Sequence, residues 1–248
     1  MNMRIAIFVL VFALTGVGLL YVQPRWILGI AGRLSGDRVL FFVETERPFV
    51  ALTIDDGPDP ETTAKILAVL DRHQAKATFF PIGSHVEGNE TVVAEMVAAG
   101  HELGNHMLED RLSAGLPIET FASHLKQTES SIVSAAKGLE GLHWFRPGQG
   151  LYTQRMLDVA EAEGYRAVLG SVFPYDTLLG QPGFSARFIR DRVRPGSIIV
   201  LHDRGERGER TAIALEILLP QLADRGYRVT TLSELVESGA AGSTERVN

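Results

Sequence analysis

The chain is 248 residues long, with 45% hydrophobic residues, 22% charged residues and no cysteine. This composition supports one large folded domain, and it excludes an intrinsically disordered chain, a disulfide scaffold, a cysteine-ligated zinc ribbon and a thiol nucleophile. Lys and Arg number 24 against 30 Asp and Glu, so the formal net charge of −6 argues against a nucleic-acid partner.

The N-terminal segment is the most hydrophobic part of the chain. No residue from Ile5 to Val22 is charged, and a membrane-spanning helix needs roughly 20 apolar residues. We predict a transmembrane or signal-anchor segment over residues 1–22, with a cleaved signal peptide or a buried core helix as alternatives. The rest of the chain is then expected outside the cytoplasm, anchored to the membrane through residues 5–22, or secreted after cleavage.

Three further regions follow this segment. Residues 23–38 contain Gly, Pro and scattered Arg and predict a linker, and residues 238–248 predict a disordered tail. Between them, strand-like and helix-like stretches alternate over residues 39–237. Repeated β-α alternation predicts an α/β domain with a mainly parallel sheet and outer helices, as an open sheet or a barrel. The predicted strands include 49–54, 77–82, 167–171 and 197–201, and the predicted helices include 60–73, 91–99, 118–137 and 153–163.

Ionisable residues follow several of the predicted strands. In parallel β/α folds, catalytic groups gather at the carboxyl ends of the strands. Each such residue also has a purely structural interpretation, since D-G-P is a turn signal and a lone His or Arg is often a core or surface residue. Two adjacent aspartates after an apolar strand are harder to explain structurally, because their repulsion needs a cation or an Arg nearby. The residues concerned are Asp55, Asp56, His106, Arg146, Asp176, His202 and Asp203.

A metal-assisted hydrolase explains these residue types together. His106 and Asp110 are four residues apart, so a helical or turn segment would place both on one side. With Asp56 they make three N/O ligands, which leaves open positions on a metal for water and substrate. Asp55 could then take the proton of the water, and His202 could protonate a leaving nitrogen. No G-x-S-x-G, P-loop or G-x-G-x-x-G motif supports another chemistry.

Five segments in order resemble the polysaccharide deacetylases, the NodB-homology group of carbohydrate esterase family 4. This resemblance implies a distorted, incomplete (β/α) barrel over about residues 39–235. It also implies one divalent metal and the removal of acetyl groups from N-acetylated sugars in chitin, peptidoglycan and related glycans. The segments are TIDDGPDP at 53–60, GHELGNHMLED at 100–110, FRPGQG at 145–150, SIIVLHD at 197–203 and YRVTTLSEL at 227–235.

The resemblance also implies a role for each matching residue. The catalytic set comprises a general base, an arginine that orients it, a backbone N–H that stabilises the oxyanion and a general acid with its carboxylate partner. The metal ligands are an aspartate and a histidine, and a small apolar pocket takes the acetyl methyl. Asp55 is the base, Arg146 the arginine, Gln149 the backbone donor, and His202 the acid with its partner Asp176. Asp56 and His106 are the metal ligands, and Val200 belongs to the apolar pocket.

Three positions depart from the pattern of the family. Asp110 stands where the second metal histidine would be, with Glu109 as a neighbouring alternative ligand. An added carboxylate hardens the site, so Mn, Co, Ni or Fe become alternatives to Zn. Gln149 replaces an aromatic residue of the sugar groove, and the segment 173–177 keeps Asp176 but lacks the first Asp and the Trp of the motif.

The function predicted first is a membrane-anchored, metal-dependent deacetylase of an N-acetylated glycan. A deformylase or deacylase of a lipid-linked sugar or small amide is the first alternative, and a catalytically silent glycan-binding module is the second. The charged run 204–210 predicts a solvated, self-paired loop, with a contact to an anionic substrate as its alternative. The sequence leaves the glycan, the acyl group and the oligomeric state open.

Overall fold

The computed structural model describes residues 22–244, with side chains through residue 240. Apart from Val22, the predicted membrane segment at residues 1–22 lies outside the described residues. Among the helices within residues 22–244, none has the length and apolar character needed to cross a bilayer. The anchor, and the location outside the cytoplasm that depends on it, therefore stay predictions.

Within residues 22–244, eight short strands form two sheets in which every ladder is parallel. The larger sheet has the order β4-β3-β2-β7, with β8 paired to the first half of β2, and the smaller sheet has the order β1-β6-β5. The strands are β1 (Val39–Leu40), β2 (Phe49–Asp55), β3 (Thr78–Phe80), β4 (Glu102–Leu103), β5 (Trp144–Phe145), β6 (Arg166–Val168), β7 (Ile198–His202) and β8 (Arg228–Thr230).

Ten α-helices cover these sheets in the described part of the chain. They are α1 (Arg25–Leu34), α2 (Thr62–Arg72), α3 (Gly83–Val86), α4 (Glu90–Ala98), α5 (Ile118–Ala135), α6 (Gln154–Ala162), α7 (Asp176–Leu179), α8 (Pro182–Arg192), α9 (Gly205–Asp224) and α10 (Leu232–Thr244). Strand β2 is buried along almost its whole length, as expected of a central parallel strand covered on both faces. Helix α9 buries a stripe of leucines at positions 215, 218, 219 and 222.

The predicted α/β class with parallel sheets is confirmed. Two isolated parallel bridges connect the sheets, one between Asn105 and Phe145 and one between Val172 and Ile199. Among the described residues the strands do not form a continuous closed barrel. The carboxyl ends of β2, β4, β5 and β7 nevertheless carry their polar residues to one region.

Helix α1 occupies most of the segment 23–38 that the sequence predicts as a linker. Pro24 directly precedes the helix, where a missing N–H costs no hydrogen bond. Gly32 is buried, and a Cβ at that position would be in ordinary van der Waals contact with the ring of Phe41, at 3.8 Å. Arg25 donates a 2.7 Å hydrogen bond to the carbonyl of Pro195. Helix α1 therefore packs against the domain.

Helix α10 extends through residues 238–244, the first part of the segment 238–248 that the sequence predicts as a disordered tail. Ser238 is buried and its hydroxyl donates a 2.7 Å hydrogen bond to the carbonyl of Leu235. A Cβ at Gly239 would come within 2.5 Å of Val43. Small residues here allow close packing on the segment after β1.

Candidate active site

Apart from Asp176, which contacts His202, the residues predicted to be catalytic line one open cavity of about 360 Å³. They reach it from the ends of separate strands and from the loops that follow. The residues that line the cavity are Asp55, Asp56, His106, Asp110, Arg146, Pro147, Gln149, Gly150, Leu169, Phe173, Val200, His202 and Arg207. Parallel strands thus bring together groups far apart in the sequence, as the strand-end pattern predicts.

Asp55, the last residue of β2, is fixed by Arg146. Nη1 of Arg146 lies 2.6 Å from Oδ1 of Asp55 and 2.8 Å from the hydroxyl oxygen of Thr53. Nε of Arg146 donates to the carbonyl of Val168, and the guanidinium stacks over Phe80 at 4.4 Å from the ring centre. Both charged groups are buried, so each stabilises the charge of the other at a place where water cannot solvate it. The arrangement orients the carboxylate of Asp55 in the cavity.

Asp56 is buried next to Asp55 and has a backbone φ of 75°. Its Oδ2 accepts a 2.7 Å hydrogen bond from Nη1 of Arg207. Burial by itself would raise the pKa of Asp56, but the hydrogen bond to His106 and the charges of His106, His202 and Arg207 lower it to about 2. Asp56 is therefore an ionised carboxylate throughout the neutral range.

His106 follows β4 on a turn that Asn105 holds in place. The amide of Asn105 donates to the carbonyl of Leu125, and its side-chain oxygen accepts from the backbone N–H of Met107. Nδ1 of His106 donates to the carbonyl of Arg146 at 2.9 Å, and Nε2 lies 3.5 Å from Oδ1 of Asp56. Burial would lower the pKa of His106, but the nearby carboxylates raise it. Nε2 is thus the ring nitrogen that faces the acidic pair.

His202 ends β7 and is held by Asp176 at the start of α7. The backbone N–H of His202 donates to Oδ2 of Asp176 at 3.0 Å, and Nδ1 lies 3.0 Å from the same oxygen. Burial would lower the pKa of His202, but its hydrogen bond to Asp176 and the charge of that carboxylate raise it to about 9. The ring of Phe173 packs against the imidazole edge at 5.8 Å. His202 therefore lines the cavity as an imidazolium.

The turn that carries Gln149 packs closely against the segment after His106. A Cβ at Gly148 would lie 2.1 Å from the carbonyl oxygen of Arg111, so only glycine allows this approach. The backbone N–H of Gly148 donates to the hydroxyl of Ser113 at 2.8 Å. Gln149 has a left-handed backbone with φ 59° and lines the cavity. Its role as an oxyanion donor stays a prediction.

Asp110 lies at the cavity, but not in the geometry that the four-residue spacing predicts. The chain bends after His106 and forms no helix, and Met107 has a φ of 70°. The side chain of Asp110 is 55% exposed, and its carboxylate lies 3.9 Å from Nη2 of Arg207. Glu109, the alternative ligand, pairs instead with Arg111 at 3.1 Å. Of the two carboxylates, Asp110 is the one that lines the cavity.

The chemistry of the donors fits a divalent cation. Nε2 of His106 can act as a ligand because the carbonyl of Arg146 fixes Nδ1 as the donor, a common arrangement at metal histidines. Asp56 supplies an ionised oxygen beside it. Among residues 22–240, however, no three His, Cys, Asp or Glu side chains are arranged to hold a metal. Asp56 and His106 are in place for a metal, whereas Asp110 is at the rim and Arg207 contacts Asp56.

The sequence prediction treats Arg207 only as part of the charged run 204–210, and the loop predicted for that run is wrong from Gly205 onward. Helix α9 begins at Gly205, and this places Arg207 on its first turn, where the side chain enters the cavity. The loop was inferred from the charges of the run and its place after His202, whereas Gly208 packs closely inside the helix: a Cβ there would come within 2.5 Å of Asp203. The sequence signal that could have indicated Arg207 was the negative charge of the adjacent Asp55 and Asp56, for which only Arg146 had been assigned as a partner.

Asp203 follows His202 but does not line the cavity. It is fully buried and accepts hydrogen bonds from the hydroxyls of Thr62, at 2.5 Å, and of Thr63. Burial raises its pKa. Asp203 therefore joins the end of β7 to the start of α2, and the sequence alone did not separate this structural role from a catalytic one.

Comparisons with known proteins identify the family of this chain. The family model for polysaccharide deacetylases matches residues 42–168. A peptidoglycan-N-acetylglucosamine deacetylase of Bacillus cereus is 32% identical over 206 residues, covering 80% of this chain and 92% of the relative. A chitooligosaccharide deacetylase of a Bradyrhizobium species is 35% identical over 200 residues, covering 75% and 90%.

The chain also resembles a solved structure of a CE4 family pseudoenzyme of Bacillus anthracis, in a mutant form with restored enzymatic activity. This chain resembles it with a TM-score of 0.73 and 26% identity, over 81% of this chain and 71% of the other. The fold, the strand-end residues and these matches establish that the chain belongs to the polysaccharide deacetylase family.

Proposed function

We propose that this protein is a hydrolase that removes acetyl groups from an N-acetylated glycan. The observation that carries the proposal is that Asp55 and His202 line one cavity, each with a separate charged partner. Arg146 orients the first, and Asp176 holds the second. A base and an acid on the same cavity suit the two proton transfers of amide hydrolysis.

Asp55 is the general base in this proposal. Its Oδ1 is occupied by Arg146 at 2.6 Å, so Oδ2 is the oxygen left for a water molecule in the cavity. Asp55 takes the proton as that water attacks the acetyl carbonyl. Because Arg146 is buried and makes several hydrogen bonds, it keeps the carboxylate in one orientation during the transfer.

His202 is the general acid. Nδ1 is tied to Asp176, so the proton on Nε2 is the one available to the leaving nitrogen. The raised pKa keeps this proton in place at neutral pH. The backbone N–H of Gln149 stabilises the charge that develops on the carbonyl oxygen, since a left-handed turn can point an amide toward the cavity.

The metal side of the cavity consists of Asp56 and His106, with Asp110 as the third ligand. A divalent metal held there, zinc first and Mn, Co, Ni or Fe as alternatives, would act as a Lewis acid toward the acetyl carbonyl. The ionised carboxylate of Asp56 and the fixed imidazole of His106 are the groups that support this assignment.

The substrate we propose is a peptidoglycan-like or chitin-like glycan. Leu169, Phe173 and Val200 give the cavity an apolar side that suits an acetyl methyl. The named relatives act on peptidoglycan N-acetylglucosamine and on chitooligosaccharides, which supports both glycans as first candidates.

Acetate release from chitin oligomers and from peptidoglycan, with and without added zinc, tests the proposal. Wild-type protein should release acetate, and Asp55→Asn should abolish most of the release while the fold is retained. Release of a longer acyl or formyl group from a lipid-linked sugar, but not of acetate, would favour the deacylase alternative. If protein with verified metal releases no acyl group from any of these substrates, the silent glycan-binding module is correct.

A further inference from the structure

The guanidinium of Arg207 occupies the acidic side of the cavity. Nη1 lies 2.7 Å from Oδ2 of Asp56, and Nη2 lies 3.9 Å from Oδ2 of Asp110. These two carboxylates are the ones assigned to the metal in the proposed function. One positive side chain therefore stands between the two negative groups that a divalent cation would bridge.

Each of the two adjacent aspartates has its own arginine. Arg146 compensates Asp55, and Arg207 compensates Asp56. The two arginines differ in how firmly they are held. The side chain of Arg146 is only 3% exposed and has several partners, whereas that of Arg207 is 35% exposed and reaches in from the surface. A long side chain with this exposure can swing into solvent without disturbing the core.

The backbone beneath Arg207 is fixed. Gly208 packs so closely that a Cβ there would come within 2.4 Å of the hydroxyl oxygen of Thr62. The neighbouring charges of the helix have other partners, because Arg210 pairs with Glu206 and Lys65 with Glu209. Breaking the contact between Arg207 and Asp56 therefore requires a movement of the side chain of Arg207 and not of helix α9.

We propose that Arg207 is an exchangeable counter-cation, which pairs with Asp56 when no metal is bound and leaves it when a divalent metal binds. This inference rests on the metal position of the proposed function. In the metal-free protein Arg207 neutralises a buried carboxylate that would otherwise repel Asp55. Metal binding must break this ion pair, so Arg207 lowers the affinity for metal and keeps the empty site folded.

Metal titration of chelator-treated protein tests this inference. Isothermal titration with zinc, and the visible absorption of bound cobalt, measure the affinity without any substrate. We expect Arg207→Gln to bind zinc at least tenfold more tightly than wild type. Arg207→Lys, which keeps the charge, should fall between them. Arg210→Gln removes a positive charge one turn along the same helix and should bind as wild type does.

Two outcomes would overturn the inference. One is an affinity of Arg207→Gln equal to or weaker than that of wild type, and the other is no binding of metal by either protein. Circular dichroism of each variant verifies that the fold is intact, and Arg207→Lys gives a second comparison if Arg207→Gln is unstable. The experiment measures metal affinity and not acetate release. The comparison between the variants can therefore be interpreted even if the proposed deacetylase activity is not found.

Discussion

Asp176 contacts His202 at two points, through the backbone N–H and through Nδ1 of the ring, each at 3.0 Å. The first contact ties the end of β7 to the start of α7, and the second determines which ring nitrogen faces the cavity. A carboxylate that fixes both the position of a histidine and the orientation of its ring is typical of a proton-transfer pair. The pairing explains why the segment 173–177 keeps this Asp while the rest of its motif differs.

The pH dependence of the reaction should have an alkaline limb set by His202. Its pKa is raised to about 9, so the imidazolium that acts as the acid is present below that pH and is lost as the pH rises through it. Asp176→Asn removes the largest contribution that raises this pKa, and the limb of the profile of kcat/KM should move to lower pH. An unchanged limb in the variant would show that another group sets it.

His202→Ala should lower turnover by roughly 10²-fold or more, because a positioned general acid contributes rate of that order. The bound metal should be unaffected, since His202 is not among the proposed ligands. His143→Ala is the matched control: this histidine is exposed and lies outside the cavity, so its removal should leave the rate unchanged. Equal activity of His202→Ala and wild type would refute the assignment of the acid.

Asp110→Ala should lower the metal content of the purified protein. Asp110 lines the cavity near Arg207, and the remaining carboxylate of the lining, Asp55, is paired with Arg146. Glu109→Ala removes the adjacent carboxylate, which pairs with Arg111, and should retain the metal. Elemental analysis measures the metal content of both variants. Full retention of metal by Asp110→Ala would show that Asp110 is not a ligand.

Much of the site could be predicted because its residues follow apolar strands directly. Asp55, Arg146 and His202 each end a strand or follow one at once, and parallel strands fix where such residues meet. The catalytic roles of these residues remain predictions, although the structure brings them to one cavity. The position of Asp110 was harder to predict. Its spacing from His106 places both residues on one face only if the segment between them is helical, and this segment bends instead.

Residues whose position depends on long-range packing could not be read from the sequence. The charged run near Arg207 was predicted as a loop and the C-terminal segment as a disordered tail, whereas Gly208 and Gly239 make close contacts inside helices. The pattern of a single segment does not reveal which neighbour it packs against. The contact of Arg207 with Asp56 joins residues that are 151 positions apart, so only the fold places them together.

The close contact at Gly148 should couple the two loops that carry Gln149 and Asp110. Gly148→Ala would place a Cβ 2.1 Å from the carbonyl oxygen of Arg111, and backbone cannot yield as a flexible side chain can. We expect a loss of about 1–3 kcal/mol in the free energy of unfolding, the usual cost of overpacking, together with weaker metal binding and slower turnover. Thermal or urea unfolding measures the first effect, and metal titration the second.

Gly183→Ala is the control for this variant, since a Cβ at Gly183 meets nothing within 4 Å. Because Gly183 lies in helix α8, alanine should stabilise the protein by about 0.5–1 kcal/mol or leave it unchanged. A Gly148→Ala protein as stable and as active as Gly183→Ala would mean that the loops can separate without cost. The geometry argues against that result, because the N–H of Gly148 also donates to Ser113, so moving the loop apart breaks a buried hydrogen bond as well.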